Sequence, residues 1–387
     1  LLVIGYSIFT IDKKKENFPV PVVLLLAGIG LAFLPMFSEV NLTKGVIFDW
    51  FLPALLFVSA YQFPVKELKE HAGIISVLST IGIILMTLLM SALFYYSLQP
   101  FFSISYIEAL LIASILTPTD PVSVVSILKQ SSNRKDIADV VEGESMINDG
   151  TSIVLFTVVA AMYIDGESFS ISAFAGEFFW VSIGGILAGV VLGYIVSKAI
   201  HFTSDSHYQI MLSIILAYGS FYIGEEIGVS GVLATVSGGI MLSYEYGKTI
   251  KESHFREQLD GFWGVIEPTI LTFLFLLIGI QSTKYFSASL LGWTFLLFLL
   301  SLLVRYVIII GVVKMREKWR KAYGWQEVVI LTWAGIKGTM SIALLLGIED
   351  RGPESLQSLT FGVIIFSLII QSLAIYPFSA FLLKKSE

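Results

Sequence analysis

Apolar stretches of bilayer-spanning length recur along this chain from one end to the other, with few charges inside them. A hydrocarbon core about 30 Å thick takes roughly 20 apolar residues of helix, and a helix satisfies its own backbone hydrogen bonds where no water is present. Candidate spans fall at 20–35, 48–61, 74–96, 106–128, 137–163, 178–200, 208–222, 229–244, 262–280, 290–313, 328–346 and 359–383. A hydrophobic stub at 1–9, ending at Asp12-Lys13-Lys14-Lys15, reads as a truncated first helix and makes thirteen; a signal-peptide remnant is its other reading. The 387 residues are 56% hydrophobic and 14% charged, with a mean hydropathy of +0.83. That excess is too large for water-soluble cores, whose chains carry roughly 45–50% apolar residues. The expected class is therefore an all-α polytopic membrane protein, a single domain over 1–387. The basic tail Lys384-Lys385 follows the last span directly, so no soluble regulatory domain is expected.

The basic residues orient the spans. If the spans alternate, 19 of the 24 lysines and arginines lie in one set of loops and 3 in the other, while Arg305 and Lys337 lie within spans. The rich side is cytoplasmic by the positive-inside rule, which puts the C-terminus inside. A net charge of −6, with the basic residues scattered over short loops and not gathered in a stripe, implies no nucleic-acid partner. The absence of cysteine excludes disulfides, thiol catalysis and Cys-ligated zinc. His71, His201, His207 and His254 all sit near loops, so a histidine metal cluster is not expected, and no phosphate-cradling Gly-x-x-x-x-Gly-Lys-Ser/Thr argues for ATP. No cofactor is expected. Gly185, Gly189 and Gly193 recur every fourth residue, a small-residue face suited to helix packing within the chain or to a dimer seam.

A charge near the bilayer centre costs at least about 2.5–3.5 kcal/mol, so the ionisable residues inside spans are functional candidates. They are Asp120, Glu144, Asp149, Glu267, Arg305 and Lys337, with Glu142 at a span edge. In Thr117-Pro118-Thr119-Asp120-Pro121, Pro118 and Pro121 each remove a donor and obstruct the preceding turn, so the helix is expected to break around Asp120. Freed carbonyls, the Thr119 hydroxyl and the Asp120 carboxylate would form an oxygen nest of the kind transporters build at the midplane; a proline kink with Asp120 as a cap is the plainer reading. In Glu144-Ser145-Met146-Ile147-Asn148-Asp149, three- and four-residue spacings place Glu144, Ser145, Asn148 and Asp149 on one face. Asp149 lies near mid-span, where a proton and a cation would compete for it. Arg305 cannot lose its proton and needs a carboxylate, for which Glu144 is the choice. Gly335 and Gly338 flank Lys337 and permit unwinding or close approach, with Asp120 or a helix C-terminus as the partner for Lys337.

Thr117-Pro118-Thr119-Asp120-Pro121, the Glu144-Ser145…Asn148-Asp149-Gly150 run, Phe262-Trp263…Glu267…Phe275-Leu276-Leu277-Ile278-Gly279 and Trp333-Ala334-Gly335-Ile336-Lys337-Gly338 resemble the NhaP and sodium/proton exchanger branch of the monovalent cation/proton antiporters. Four motifs in the family's order, each on a candidate span, cover nearly the whole chain. The resemblance implies an NhaA-like antiporter fold: about thirteen transmembrane helices in two inverted repeats, with two broken helices crossing. It implies an ion-binding bundle mainly at 74–163 and 262–346, and dimerisation helices mainly at 1–61, 178–244 and 359–383. Asp149 would hold cation or proton in turn, with Ser145, Thr119 and Glu144 as further Na⁺ ligands, Asp120 and Asn148 beside them, and Arg305 paired with Glu144. Asn148, where electrogenic relatives carry a second aspartate, implies electroneutral exchange. The family's usual Gly-Leu-Arg-Gly is here Gly335-Ile336-Lys337-Gly338, so a permanent charge is replaced by one that can titrate.

The resulting expectation is a secondary antiporter, not an enzyme, exchanging Na⁺ (or Li⁺ or K⁺) for H⁺. It would be a homodimer in a bacterial or other prokaryotic cell membrane, with lipid and the transported ions as its partners. A K⁺/H⁺ antiporter is the near alternative. An intramembrane aspartyl protease would pair Asp120 and Asp149 as a proton-sharing dyad, and a channel would require a filter of repeated carbonyls.

Overall fold

The computed structural model describes residues 1–13, 19–37, 40, 42–120, 124–125, 128–129, 134–166, 170–202, 205–246, 253–348 and 351–383. Among them every regular element is helical. In chain order these are α1 (Leu2–Asp12), α2 (Val20–Ala32), α3 (Leu52–Gln62), α4 (Val65–Val77), α5 (Ile83–Leu98), α6 (Tyr106–Leu116), α7 (Lys135–Ile164), α8 (Ile171–Phe202) and α9 (Ser206–Glu226). There follow α10 (Gly231–Tyr246), α11 (Ser253–Tyr285), α12 (Leu291–Met315), α13 (Glu317–Ala322), α14 (Trp325–Trp333), α15 (Thr339–Leu346), α16 (Glu354–Phe366) and α17 (Ser372–Leu383). Wider π-helical turns, Leu78–Gly82 and Ser367–Gln371, join α4 to α5 and α16 to α17.

Six continuous helices among the described residues are long and apolar enough to cross a membrane: Val65–Leu98, Lys135–Ile164, Ile171–Ile200, Arg256–Tyr285, Ala288–Met315 and Glu354–Leu382. Other candidate spans are shorter apolar helices, including Leu2–Asp12, Val20–Ala32, Val46–Gln62 and Tyr106–Leu116. The outward faces fit a hydrocarbon solvent. On α12, Phe295, Leu299, Leu303 and Val307 recur every fourth residue and are exposed, whereas Ser301, Val304, Arg305 and Ile308 are buried. Exposed apolar stripes of this length are unfavourable in water and suited to lipid.

Two compact units emerge. The first comprises Leu1–Lys44, His71–Ser168 and Thr272–Glu387. Residues 1–44 and 359–383, assigned from the sequence to the dimerisation set, cluster here with the bundle that carries the intramembrane charges. Close backbone approaches account for this. A Cβ on Gly279 of α11 would overlap Leu25 O and lie 2.8 Å from the Cα of Gly28 on α2, and one on Gly362 of α16 would lie 2.6 Å from Thr294 Cγ2 on α12.

The second unit comprises Gly45–Glu70 and Phe169–Leu271. Its core gathers Phe57, Tyr61, Leu242, Leu259 and Trp263, with Trp263 Nε1 donating to Ser213 Oγ at 3.1 Å. The glycine stripe packs within this unit: a Cβ on Gly185 would come 2.6 Å from Ser230 O, and one on Gly193 2.7 Å from Gly238 O, so α8 and α10 meet backbone to backbone. In the last turn of α9 the Glu225 side chain folds back, its Oε1 accepting Gly231 N–H at 2.9 Å.

Candidate ion-binding site

The first unit holds Asp120, Glu144, Asp149, Arg305 and Lys337 on two interrupted spans and two continuous helices, whereas Glu267 falls in the second unit. The first interruption follows α6, which opens on a capping box: Ser105 Oγ accepts Glu108 N–H at 3.2 Å, and Glu108 Oε2 accepts Ser105 N–H at 2.7 Å. The helix ends at Leu116, and Pro118, Thr119 and Asp120 are not helical, as a proline without an N–H requires. Pro121 lies outside the described residues. The second interruption separates α14 from α15, where Gly335 to Gly338 run free of helix.

The two breaks meet. Asp120 N–H donates to Ile336 O at 2.8 Å, and Asp120 Oδ2 accepts Thr339 N–H, the first residue of α15, at 3.2 Å. A carboxylate at a helix N-terminus satisfies an orphan donor and faces the positive end of the helix dipole. The approach is possible only because position 338 lacks a side chain, since a Cβ there would overlap Asp120 Cβ, Cγ and Oδ2.

The middle of α7 closes one side of the nest. Ser145 Oγ donates to Thr119 O, Asn148 Nδ2 donates to Thr119 Oγ1 at 2.8 Å, and Asn148 Oδ1 accepts Thr119 N–H at a longer 3.5 Å. Ser145, Asn148 and Thr119 are all buried. On the same helical face Asp149 is half-buried, and its buried Oδ1 has no hydrogen-bond partner among the described residues. Among the described residues Asp120 and Asp149 share no hydrogen bond, the Asp120 carboxylate being turned to Thr339 N–H.

Arg305 of α12 donates from Nη1 to Glu144 Oε1 at 2.8 Å and from Nη2 to Oε2 at 2.7 Å. Both side chains are almost fully buried. Its Nε reaches Leu331 O at 3.4 Å, near the C-terminal end of α14, where freed carbonyls favour a cation. Gly335 makes room for it: a Cβ there would overlap the Arg305 guanidinium. Lys337 is buried within electrostatic reach of Arg305 and Glu144 and makes no salt bridge among the described residues. The Asp120 carboxylate proposed for it accepts the Thr339 amide.

Several residues of the site escaped the sequence reading. Gln371 Nε2 donates to Trp333 O at 2.6 Å, Trp333 Nε1 donates to Gln371 O at 3.1 Å, and Lys337 N–H donates to Ser367 Oγ at 2.8 Å. Ser367 Oγ in turn bonds Gln371 Oε1. The π turn Ser367–Gln371 thus satisfies backbone groups that the second break leaves open. The available signal was two polar residues four apart inside an apolar run, the same signal that marked α7. Beside the start of α14, Arg134 bonds Asp136 and reaches Glu327 at 2.6 Å and Ala322 O at 2.9 Å. Asp136 holds the Arg134 guanidinium above its ordinary range, so it stays charged.

The sodium/hydrogen exchanger transmembrane family model matches residues 1–381. The chain belongs to that family. It is 31% identical to the Na(+)/H(+) antiporter NhaG of Bacillus atrophaeus over 396 aligned residues, covering 97% of this chain and 73% of the relative. It is 31% identical to the Na(+)/H(+) antiporter NhaP of Pseudomonas aeruginosa, covering 88% of this chain and 80% of that one. The solved structure of the sodium proton antiporter MjNhaP1 from Methanocaldococcus jannaschii at pH 8 superposes with a TM-score of 0.79 at 20% identity, over 99% of this chain and 96% of that one. At that identity the superposition establishes a shared fold. This member of the exchanger family therefore shares the fold of MjNhaP1, and its charge-bearing nest lies in the part of the chain that the family model matches.

Proposed function

We propose that this chain exchanges Na⁺ for H⁺ across the membrane without net charge movement, with cation and proton competing for Asp149. The observation that carries the reading is the state of that side chain: Oδ1 is buried, without a hydrogen-bond donor, one turn from Ser145 and beside Asn148 on a face packed against the break at Thr119. A carboxylate oxygen removed from water is satisfied by a proton or by a hard cation, and one oxygen cannot serve both. Asp120 and the hydroxyl of Thr119 complete an oxygen-lined nest. Glu144 is neutralised by Arg305, so the charge on Asp149 is the one that changes with the cargo. Asn148 supplies no second titrating carboxylate, which supports one proton for one Na⁺. The loop-charge asymmetry supports a cytoplasmic C-terminus.

Transport requires the nest to face each side of the membrane in turn. The protonated aspartate releases Na⁺ on one side and, once deprotonated, takes it up on the other. The proton gradient drives the cycle.

Proteoliposomes loaded with a pH-sensitive dye provide the test. An imposed Na⁺ gradient should move protons in the wild type, and Asp149→Asn should abolish the flux. Wild-type flux in Asp149→Asn would overturn the assignment. Replacing Na⁺ by Li⁺ or K⁺ in the same vesicles ranks the cations, and clamping the membrane potential should leave the rate unchanged.

A further inference from the structure

In the first unit, two cavities adjoin at the end of α11 that carries Lys284. The larger, about 620 Å³, is lined by apolar side chains including Phe33, Phe361, Ile365 and Ile369, with Ser358 among its hydroxyls. The smaller, about 240 Å³, is lined by Gln281 and Lys284, and Thr283 borders both. The larger is within the roughly 300–1,000 Å³ usual for small-molecule sites.

The chemistry of the two ends differs sharply. Gln281 is 3% exposed; its Oε1 accepts Leu42 N–H at 3.2 Å, while its buried Nε2 has no hydrogen-bond partner among the described residues. An amide donor kept from water in this way calls for an acceptor. Lys284 adds an exposed ammonium one turn of helix away. The apolar span Arg256–Tyr285 ends here, so a helix of spanning length would bring Lys284 to headgroup depth, on the side that the loop-charge asymmetry assigns as external. From Ser358 to Ile369 the lining of the larger cavity descends about 16 Å along its helix at about 1.5 Å per residue. That is close to the thickness of one leaflet's hydrocarbon, about half of 30 Å.

We infer that this double cavity is a binding site for one phospholipid of the outer leaflet, with the phosphate received by Gln281 Nε2 and Lys284 Nζ and an acyl chain lying along Phe361, Ile365 and Ile369. An anionic head and an apolar tail of leaflet length match the two chambers, whereas a free phosphate would leave the larger chamber without an apolar occupant. Filling it also keeps Gln281 satisfied inside the bilayer.

Native mass spectrometry of the detergent-purified chain, incubated with phosphatidylglycerol, tests this without any transport readout. The wild type should retain one lipid per chain after partial delipidation. Lys284→Gln and Gln281→Leu should each lower retention about tenfold, the loss of one charge-assisted contact. Lys284→Arg should keep it, and diacylglycerol with the same tails should be retained about tenfold less than phosphatidylglycerol. Ser358→Trp, which obstructs the apolar chamber, should also release the lipid. Lys284 is exposed, so its variants report even if a cavity variant misfolds. Equal retention by wild type and Lys284→Gln would overturn the site, and displacement of the lipid by millimolar inorganic phosphate would overturn the lipid as its occupant.

Discussion

Arg305 and Glu144 lie 161 positions apart and meet through two hydrogen bonds of 2.8 and 2.7 Å, with almost no solvent exposure on either side. Removing one partner of such a pair leaves an uncompensated buried charge, at a cost of about 3–5 kcal/mol. Arg305→Leu and Glu144→Gln are each expected to lower the melting temperature in detergent markedly. The double variant Arg305→Leu/Glu144→Gln is expected to recover much of the loss, because no charge is then left alone. Additive losses in this double-mutant cycle would argue against direct coupling.

The broken segment Gly335 to Gly338 admits no side chain at either end. A Cβ on Gly335 meets the Arg305 guanidinium, and one on Gly338 meets the Asp120 side chain. Neither neighbour is a free-ended chain, since Arg305 is held by Glu144 and Asp120 by Thr339 N–H. Gly335→Ala and Gly338→Ala should each destabilise by about 1–3 kcal/mol, the range for overpacking. Gly338→Ala should also reduce exchange, as it displaces Asp120. Thermal unfolding and vesicle flux separate the two effects.

Asn148 uses both ends of its amide on Thr119. A carboxylate at that position has no N–H to give, so Asn148→Asp forces Thr119 Oγ1 to reverse its hydrogen bond and adds a negative charge next to Asp149. A stability loss of about 1–3 kcal/mol is expected, along with exchange that responds to an imposed membrane potential. Potential-independent flux in Asn148→Asp would separate Asn148 from the stoichiometry.

Asp205 caps α9 outside the apolar spans. Its carboxylate accepts His207 N–H at 2.8 Å, and that backbone hydrogen bond, ahead of the contact with the His207 ring, holds its pKa below the ordinary 3.8. A depressed native pKa contributes stability above the unfolded value, and that contribution is lost as pH falls through the native one. Asp205→Ala should therefore speed amide exchange in the first turn of α9 at neutral pH, and the difference should narrow as the pH drops below about 3.8, where the carboxyl loses its charge but keeps an acceptor oxygen. Asp205→Asn, which keeps an acceptor, should stay protected. An Ala effect of undiminished size in strong acid would show that the cap does not depend on the ionised carboxylate.

Membrane residence, helical class and the positions of the two breaks were legible in the sequence because each rests on local chemistry. A helix satisfies its own backbone in hydrocarbon, Pro118 cannot donate, and an isolated charge such as Asp149 or Arg305 is too costly in an apolar run to be incidental. The spacing of Ser145, Asn148 and Asp149 likewise follows from the period of one helix. What only the tertiary structure decided concerns groups distant along the chain. Asp120 caps the half-helix that begins at Thr339, Gln371 and Ser367 close the backbone groups around Lys337, and α1, α2, α16 and α17 cluster with the charge-bearing bundle. No local rule selects those partners. An orphan N–H or C=O at a broken helix requires a bond from somewhere, and which side chain provides it depends on which helices pack together.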